Sequence, residues 1–326
     1  MPFPFIDGKA RLAPAKPVEL PVPERAQQLD PAGYLLDSKL VDAVNVALLL
    51  SQPLLLTGEP GTGKTQLAHR LAWELGYERH VFNTKSNSVA RDLFYTFDSM
   101  GRFHAAQTSE GSAANLDYVS YNALGKAILL ANPPEAVAHL VPRHFFHPGQ
   151  RRSVVLIDEI DKAPRDFPND LLHEVDTMSF RVPELASDEL AAPREMRPVL
   201  VLTSNSERNL PDAFLRRCVF FNIPFPTEAR LAEILQSRLP ALAQGGSALL
   251  GSAVDFFVEF RKLGLRKPPS TAELINWVQI LVNAGASPDK PLAASSGALM
   301  RSLSALAKTD DDTEALAGFV KTTLGG

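Results

Sequence analysis

The residues best suited to chemistry are Gly58-Glu59-Pro60-Gly61-Thr62-Gly63-Lys64-Thr65, which satisfy the phosphate-binding loop pattern G-x-x-x-x-G-K-[ST] at every fixed position. Glycines at 58, 61 and 63 let the backbone turn its N–H groups inward around a phosphate. Lys64 supplies a point charge to the β- and γ-phosphates, and the Thr65 hydroxyl suits a magnesium ion. A second stretch, Val154-Val155-Leu156-Ile157-Asp158-Glu159, is a short apolar run that ends in two carboxylates. A buried strand of this kind presents acid at its C-terminal edge, where α/β sheets bind ligands. Asp158 suits Mg²⁺, through its water shell, and Glu159 suits the orientation and deprotonation of an attacking water. A third run, Pro198 to Asn205, is another buried strand with a polar tip; Asn205 lies beside the γ-phosphate if this strand neighbours the one ending at Asp158. Arg216 and Arg217 close a short helical segment and could serve a neighbour's site as inserted arginines.

These side chains need a scaffold that alternates strand and helix. Pro53 to Thr57 reads as a buried parallel strand, and Thr65 to Leu75, with apolar residues at 67, 68, 71, 72 and 75, reads as a helix stopping at Gly76. Tyr34 to Leu50 forms a preceding helix capped by Asp37 or Ser38. His80 to Asn83 is a second strand, and Ser86 to Asp98 a loop followed by a short helix. Ser99 to Ala114, rich in Gly, Ser, Thr and Gln, reads as an insertion looping out of the domain. A helix resumes at Leu124 to Leu130; Asp166 to Met178 is helical, Phe180 to Pro183 and Arg194 to Val199 form the arms of a hairpin, and Val219 to Ile223 is a fifth strand. His139, His144 and His147 share a loop without the spacing of a zinc site. Beyond Pro226 the pattern is helical only, over Thr227 to Leu239, Ser247 to Leu263, Ser270 to Ala284 and two weaker segments after Leu299.

The 326 residues allow one large domain or two ordinary ones, and 45% hydrophobic with 21% charged residues exclude a fibrous or largely disordered chain. A net charge of −4 argues against a surface built for nucleic acid. The single cysteine, Cys218, has no internal partner, which fits a reducing cytoplasm. Prolines at 2, 4, 14 and 17 interrupt any signal-peptide core, and no run reaches the length of a membrane span.

In this order the motifs resemble those of AAA+ ATPases, and within them the MoxR-like group, over about residues 33 to 284. Gly58 to Thr65 resembles the Walker A motif, Leu156 to Ala163 is similar to the group's Walker B stretch, and Asn205 matches sensor 1. Leu210 to Cys218 resembles the helix that carries the arginine finger, at Arg217 in first place and Arg216 in second. The 99–121 insertion and the 180–199 hairpin match two elements typical of the group. In one departure, Ala272 stands at the sensor 2 position, with Arg266 and Lys267 as possible substitutes. The resemblance implies an α/β P-loop NTPase core of three layers with a parallel sheet, followed by an all-α lid: a proline-rich arm at 1–32, the nucleotide-binding core at 33–225 and the lid at 226–326. It implies ATP with Mg²⁺, a homo-oligomer, in this group a ring hexamer with the active site between subunits, and a protein client or von Willebrand factor A domain partner. The function implied is ATP hydrolysis that remodels or activates that partner. A nucleotide-gated scaffold with slow turnover is the alternative, and a nucleic-acid translocase a further one.

Overall fold

Runs of adjacent apolar residues, with no polar face to offer solvent, form the inner strands of a parallel sheet. The computed structural model describes residues 30–107, 114–206, 210–243 and 246–324; the proline-rich arm read at 1–32 lies almost wholly outside them. The strands are β1 (Leu54–Thr57), β2 (Glu78–Asn83), β3 (Tyr95–Phe97), β4 (Val119–Tyr121), β5 (Ser153–Asp158), β6 (Ser179–Phe180), β7 (Leu190–Ala191), β8 (Val199–Thr203) and β9 (Val219–Asn222). Five of them form one sheet in the order β2-β5-β8-β1-β9, with every pairing parallel. Val155, Ile157, Leu200 and Leu202 join a core with Ala127 and Ile128 of the helix Ala123–Leu130. The alternate residues Val154, Leu156 and Val201 are equally buried on the opposite face, and the helix Lys64–Leu75 packs on β5. The sheet is therefore the middle of three layers, as the sequence implies.

The helices start where their caps allow. Asp37 accepts the N–H of Lys39 at 2.9 Å and begins Ser38–Leu50, while residues 31–33 form a separate 3-10 turn. Gly76, at φ 67°, ends Lys64–Leu75 by returning its N–H to the last turn.

Three local readings change. After a 3-10 turn at Ala90–Leu93, residues 95–97 form strand β3 rather than a helix, because Tyr95 and Phe97 pair antiparallel with Tyr121 and Val119 of β4. Ser99–Gln107 is a helix, begun by Asp98, whose carboxylate accepts the Gly101 N–H at 2.8 Å; residues 108–113 of the expected insertion lie outside the described residues. The hairpin arm opposite Phe180 is Leu190, and Arg194–Met196, which follows Pro193, is a 3-10 turn.

The described chain divides into two compact units, residues 36–58 with 63–223, and residues up to 35 with 59–62 and 224–326. The second is helical. Glu228–Arg238, Ala248–Arg261 and Thr271–Asn283 begin at the side-chain caps Thr227, Ser247 and Ser270, the last in a capping box with Glu273. Their apolar faces enclose Phe256, Phe257, Phe260, Leu274 and Trp277. The Trp277 indole donates to the buried Ser302 hydroxyl at 2.9 Å, which satisfies the one polar atom the ring brings into this core.

Candidate nucleotide site

Parallel pairing brings the C-terminal ends of β1, β5 and β8 together, and the chemistry-bearing residues follow directly on those ends. Gly63, at φ 94°, turns the chain from the loop into the helix that begins at Lys64, a conformation that strains any side chain with a Cβ. The Lys64 side chain curls back over the loop. Its ammonium donates to the Gly58 carbonyl at 2.8 Å and to Asn205 Oδ1 at 3.1 Å. Lys64 is only 7% exposed, so its charge is aimed by the protein rather than dispersed in solvent.

Thr65 is one residue further into the same helix and donates to both carboxylate oxygens of Asp158, at 3.0 and 3.2 Å. Hard divalent cations take oxygen ligands, and a hydroxyl beside a carboxylate at the start of a phosphate-loop helix is a donor set that fits magnesium. Thr203, the last residue of β8 and fully buried, completes the arrangement. Its hydroxyl donates to Asp158 Oδ1 at 2.6 Å and accepts the Glu159 N–H at 2.8 Å. One side chain thus fixes the carboxylate and the backbone that follows it.

Glu159 is left-handed, at φ 56° and ψ 52°, and its side chain is paired with Lys162, whose ammonium this hydrogen bond holds above its ordinary range. A non-glycine residue in this region carries strain that concentrates at functional sites. The turn directs Glu159 out of the strand while Asp158 stays within it, so adjacent carboxylates face different surroundings. The N–H of Asn205 donates to Asp161 Oδ1 at 3.2 Å, which ties the tip of β8 to the turn after β5.

Lys64, Thr65, Asp158, Glu159 and Asn205 therefore converge in one unit. The loop tip, Glu59, Pro60, Gly61 and Thr62, groups with the helical unit, where Thr62 Oγ1 donates to the Glu59 carbonyl at 2.9 Å. Arg217 is elsewhere, its guanidinium donating to Asp176 Oδ2 at 2.6 Å and to the Ala213 carbonyl at 2.9 Å. Arg216 is exposed beside it. Arg266 and Lys267 direct their backbone N–H groups at the Asp312 carboxylate, at 2.8 and 3.1 Å. Sequence reasoning passed over Thr203, Lys162 and Asp161. The signal for Thr203 was available, since a hydroxyl closing a run of buried apolar residues needs a polar partner.

His147 spends its ring on the Leu129 carbonyl and the Gly149 N–H, and no group of three or more metal-binding side chains occurs among the described residues. No helix among the described residues is long and apolar enough to cross a membrane.

Among solved structures, the chain is similar to three single-residue variants of RuvB from Thermotoga maritima. The first has a TM-score of 0.50 at 16% identity, covering 88% of this chain and 76% of that one. The others have TM-scores of 0.48 at 16% identity, covering 81% and 67%, and 0.46 at 15% identity, covering 87% and 68%. No curated protein matches the chain. The family model of the AAA domain, dynein-related subfamily, matches residues 53–218, more than half the chain. Four of the five strands of the parallel sheet, the phosphate loop at the end of β1 and the carboxylate at the end of β5 fall within that span, and the chain belongs to the AAA domain family, dynein-related subfamily.

Proposed function

We propose that this AAA protein is an ATPase of the MoxR-like kind, using Mg²⁺ and turning hydrolysis into the remodelling or activation of a partner protein. The observation that carries the reading is the Thr65–Asp158–Thr203–Glu159 network, which sets a hydroxyl–carboxylate pair suited to a cation, and a second carboxylate held by Lys162, at the start of the helix that begins with Lys64. Thr65 and Asp158 would hold the magnesium, which when bound offsets charge on the phosphate oxygens. Lys64 orients the β- and γ-phosphates, Asn205 positions Lys64 and the water side of the γ-phosphate, and Glu159, once released by Lys162, takes the proton of the attacking water. Arg217, with its side chain 40% exposed, would leave Asp176 and complete the site of the next copy in a ring, six in this group; Arg216 is the second candidate. Residues 33–225 act as the nucleotide-binding part and residues 226–326 as the lid.

Purified protein should hydrolyse ATP with Mg²⁺ and stop when the metal is chelated. Lys64→Ala should remove nucleotide binding, a loss of at least about a hundredfold in affinity, as expected for a buried charge aimed at phosphate. Parental affinity in that variant would overturn the site assignment.

A second reading, a nucleotide-gated scaffold with slow turnover, draws on the Glu159–Lys162 pair and on Ala272 at the sensor 2 position. Assembly that depends on ATP at saturating Mg²⁺, with turnover near background, would favour it.

A further inference from the structure

The first turn of Thr271–Asn283 offers no cation, since Ala272 is neutral, and the connection before it is pinned through Arg266 and Lys267 to Asp312. A different cation meets the phosphate loop. Within the helical unit, which includes the loop tip at 59–62, Arg261 is the last residue of Ala248–Arg261 and donates from Nη2 to Glu59 Oε2 at 2.8 Å. Its Nη1 donates to the Pro269 carbonyl, and its guanidinium lies 3.6 Å from the centroid of the Phe225 ring. The side chain is 14% exposed, and the Pro269 carbonyl and the Phe225 ring set its orientation on two sides before Glu59 is engaged.

A second contact in the same place fixes the backbone. Gly61, at φ 76°, is so close to Ser270 that a Cβ on it would lie 2.4 Å from the Ser270 Cβ. The loop tip is thus seated at two points, Gly61 against the cap of one helix and Glu59 against the end of another. A loop with three glycines has much conformational freedom to lose when it closes on a ligand. A guanidinium already immobilised by its own neighbours can bear part of that cost in advance. It also offsets the negative charge that Glu59 brings to the tip of a phosphate-binding loop.

We propose that Arg261 is a positioning residue for the nucleotide, holding the tip of the phosphate loop through Glu59 where the chain has no cation at position 272. This rests on the reading of the loop as an ATP site. Arg261 acts through Glu59 and requires no contact of its own with the nucleotide.

The test is a double-variant cycle on the full chain, with a fluorescent ATP analogue for affinity, ATP turnover for KM and kcat, and circular dichroism for folding. Arg261→Ala should raise KM and Kd about five- to tenfold with a smaller fall in kcat, Arg261→Lys should recover part of the loss, and Glu59→Gln should raise KM about threefold, magnitudes in keeping with a partly buried ion pair. The combined Glu59→Gln and Arg261→Ala variant should be no worse than Arg261→Ala alone within about twofold, since both changes break one interaction. Should Arg261→Ala fail to fold for want of its Phe225 and Pro269 contacts, Glu59→Gln, which keeps Arg261 in place, decides alone. Parental KM in Glu59→Gln, or additive losses in the pair, overturns the proposal. A parental protein that binds no ATP overturns the ATPase reading and this inference with it, whereas parental binding with unchanged variants overturns the inference only.

Discussion

The inner strands of the sheet and its edge strand β2 solve opposite problems. β1 and β5 lie between neighbours, and Leu54, Leu55, Leu56, Val154, Val155, Leu156 and Ile157 are essentially inaccessible. Polar chemistry is confined to their ends, where Asp158 and the phosphate loop sit on strands that cannot shift without repacking the core. β2 is one of the two edges, and it carries Glu78, Arg79 and His80 along its length. Charge there blunts an exposed ladder, and its cost is a group with imperfect surroundings. Rigid burial fixes the candidate site residues at one place, and tolerance of charge brings pH sensitivity at the other.

Breaking the inner strand ends should cost most. Asp158→Asn keeps shape and removes the charge that pairs with Thr65, and kcat should fall by at least about a hundredfold with weakened Mg²⁺ dependence, measured by ATP turnover across a metal titration. Thr203→Val preserves volume but leaves the Glu159 N–H without its partner and Asp158 Oδ1 with the Thr65 hydroxyl alone. Loss of about 2 kcal/mol in denaturant unfolding and a fall of about tenfold in kcat are expected, since hydrogen bonds to charged groups are the expensive ones to lose.

The edge should respond to pH instead. His80 is buried, and burial, with the Lys126 cation as a second cause against the opposing pull of Glu78, lowers its pKa from 6.5 to about 4. Its Nε2 has no hydrogen-bond partner among the described residues. The unfolded chain therefore binds a proton near pH 6.5 that the folded chain refuses until about pH 4, so stability present above pH 6.5 is lost as pH falls through that window. The loss should reach about 2 kcal/mol between pH 7 and pH 5 by linkage, and His80→Gln should lack that share of it in urea titrations at the two pH values. An equal pH response in the variant would show that β2 is not the sensitive edge.

The inner strands were legible because short-range order encodes them. An apolar run followed at once by Gly58 or by Asp158 states both burial and site in consecutive residues. The inner strands of the parallel sheet follow from such runs, and its three layers were what the resemblance to AAA+ ATPases implied. Elements stabilised by partners far along the chain were not legible. β3 is three residues long and exists because β4 lies 22 residues on, where Val119 meets Phe97. Arg261 and Glu59 are 202 residues apart, and nothing in either's neighbours announces the pair. Thr203 was visible as a residue but not as a link, since its role depends on the register that sets β8 beside β5.

Glu159 concentrates the central claim, because its left-handed backbone and its contact with Lys162 put it at the strand end without a part in holding the loop. ATP binding and turnover should be measured on one preparation of Glu159→Gln. Affinity within about twofold of the parent, with turnover reduced at least about a hundredfold, is the outcome predicted for loss of a general base. Turnover at the parental rate would contradict the account.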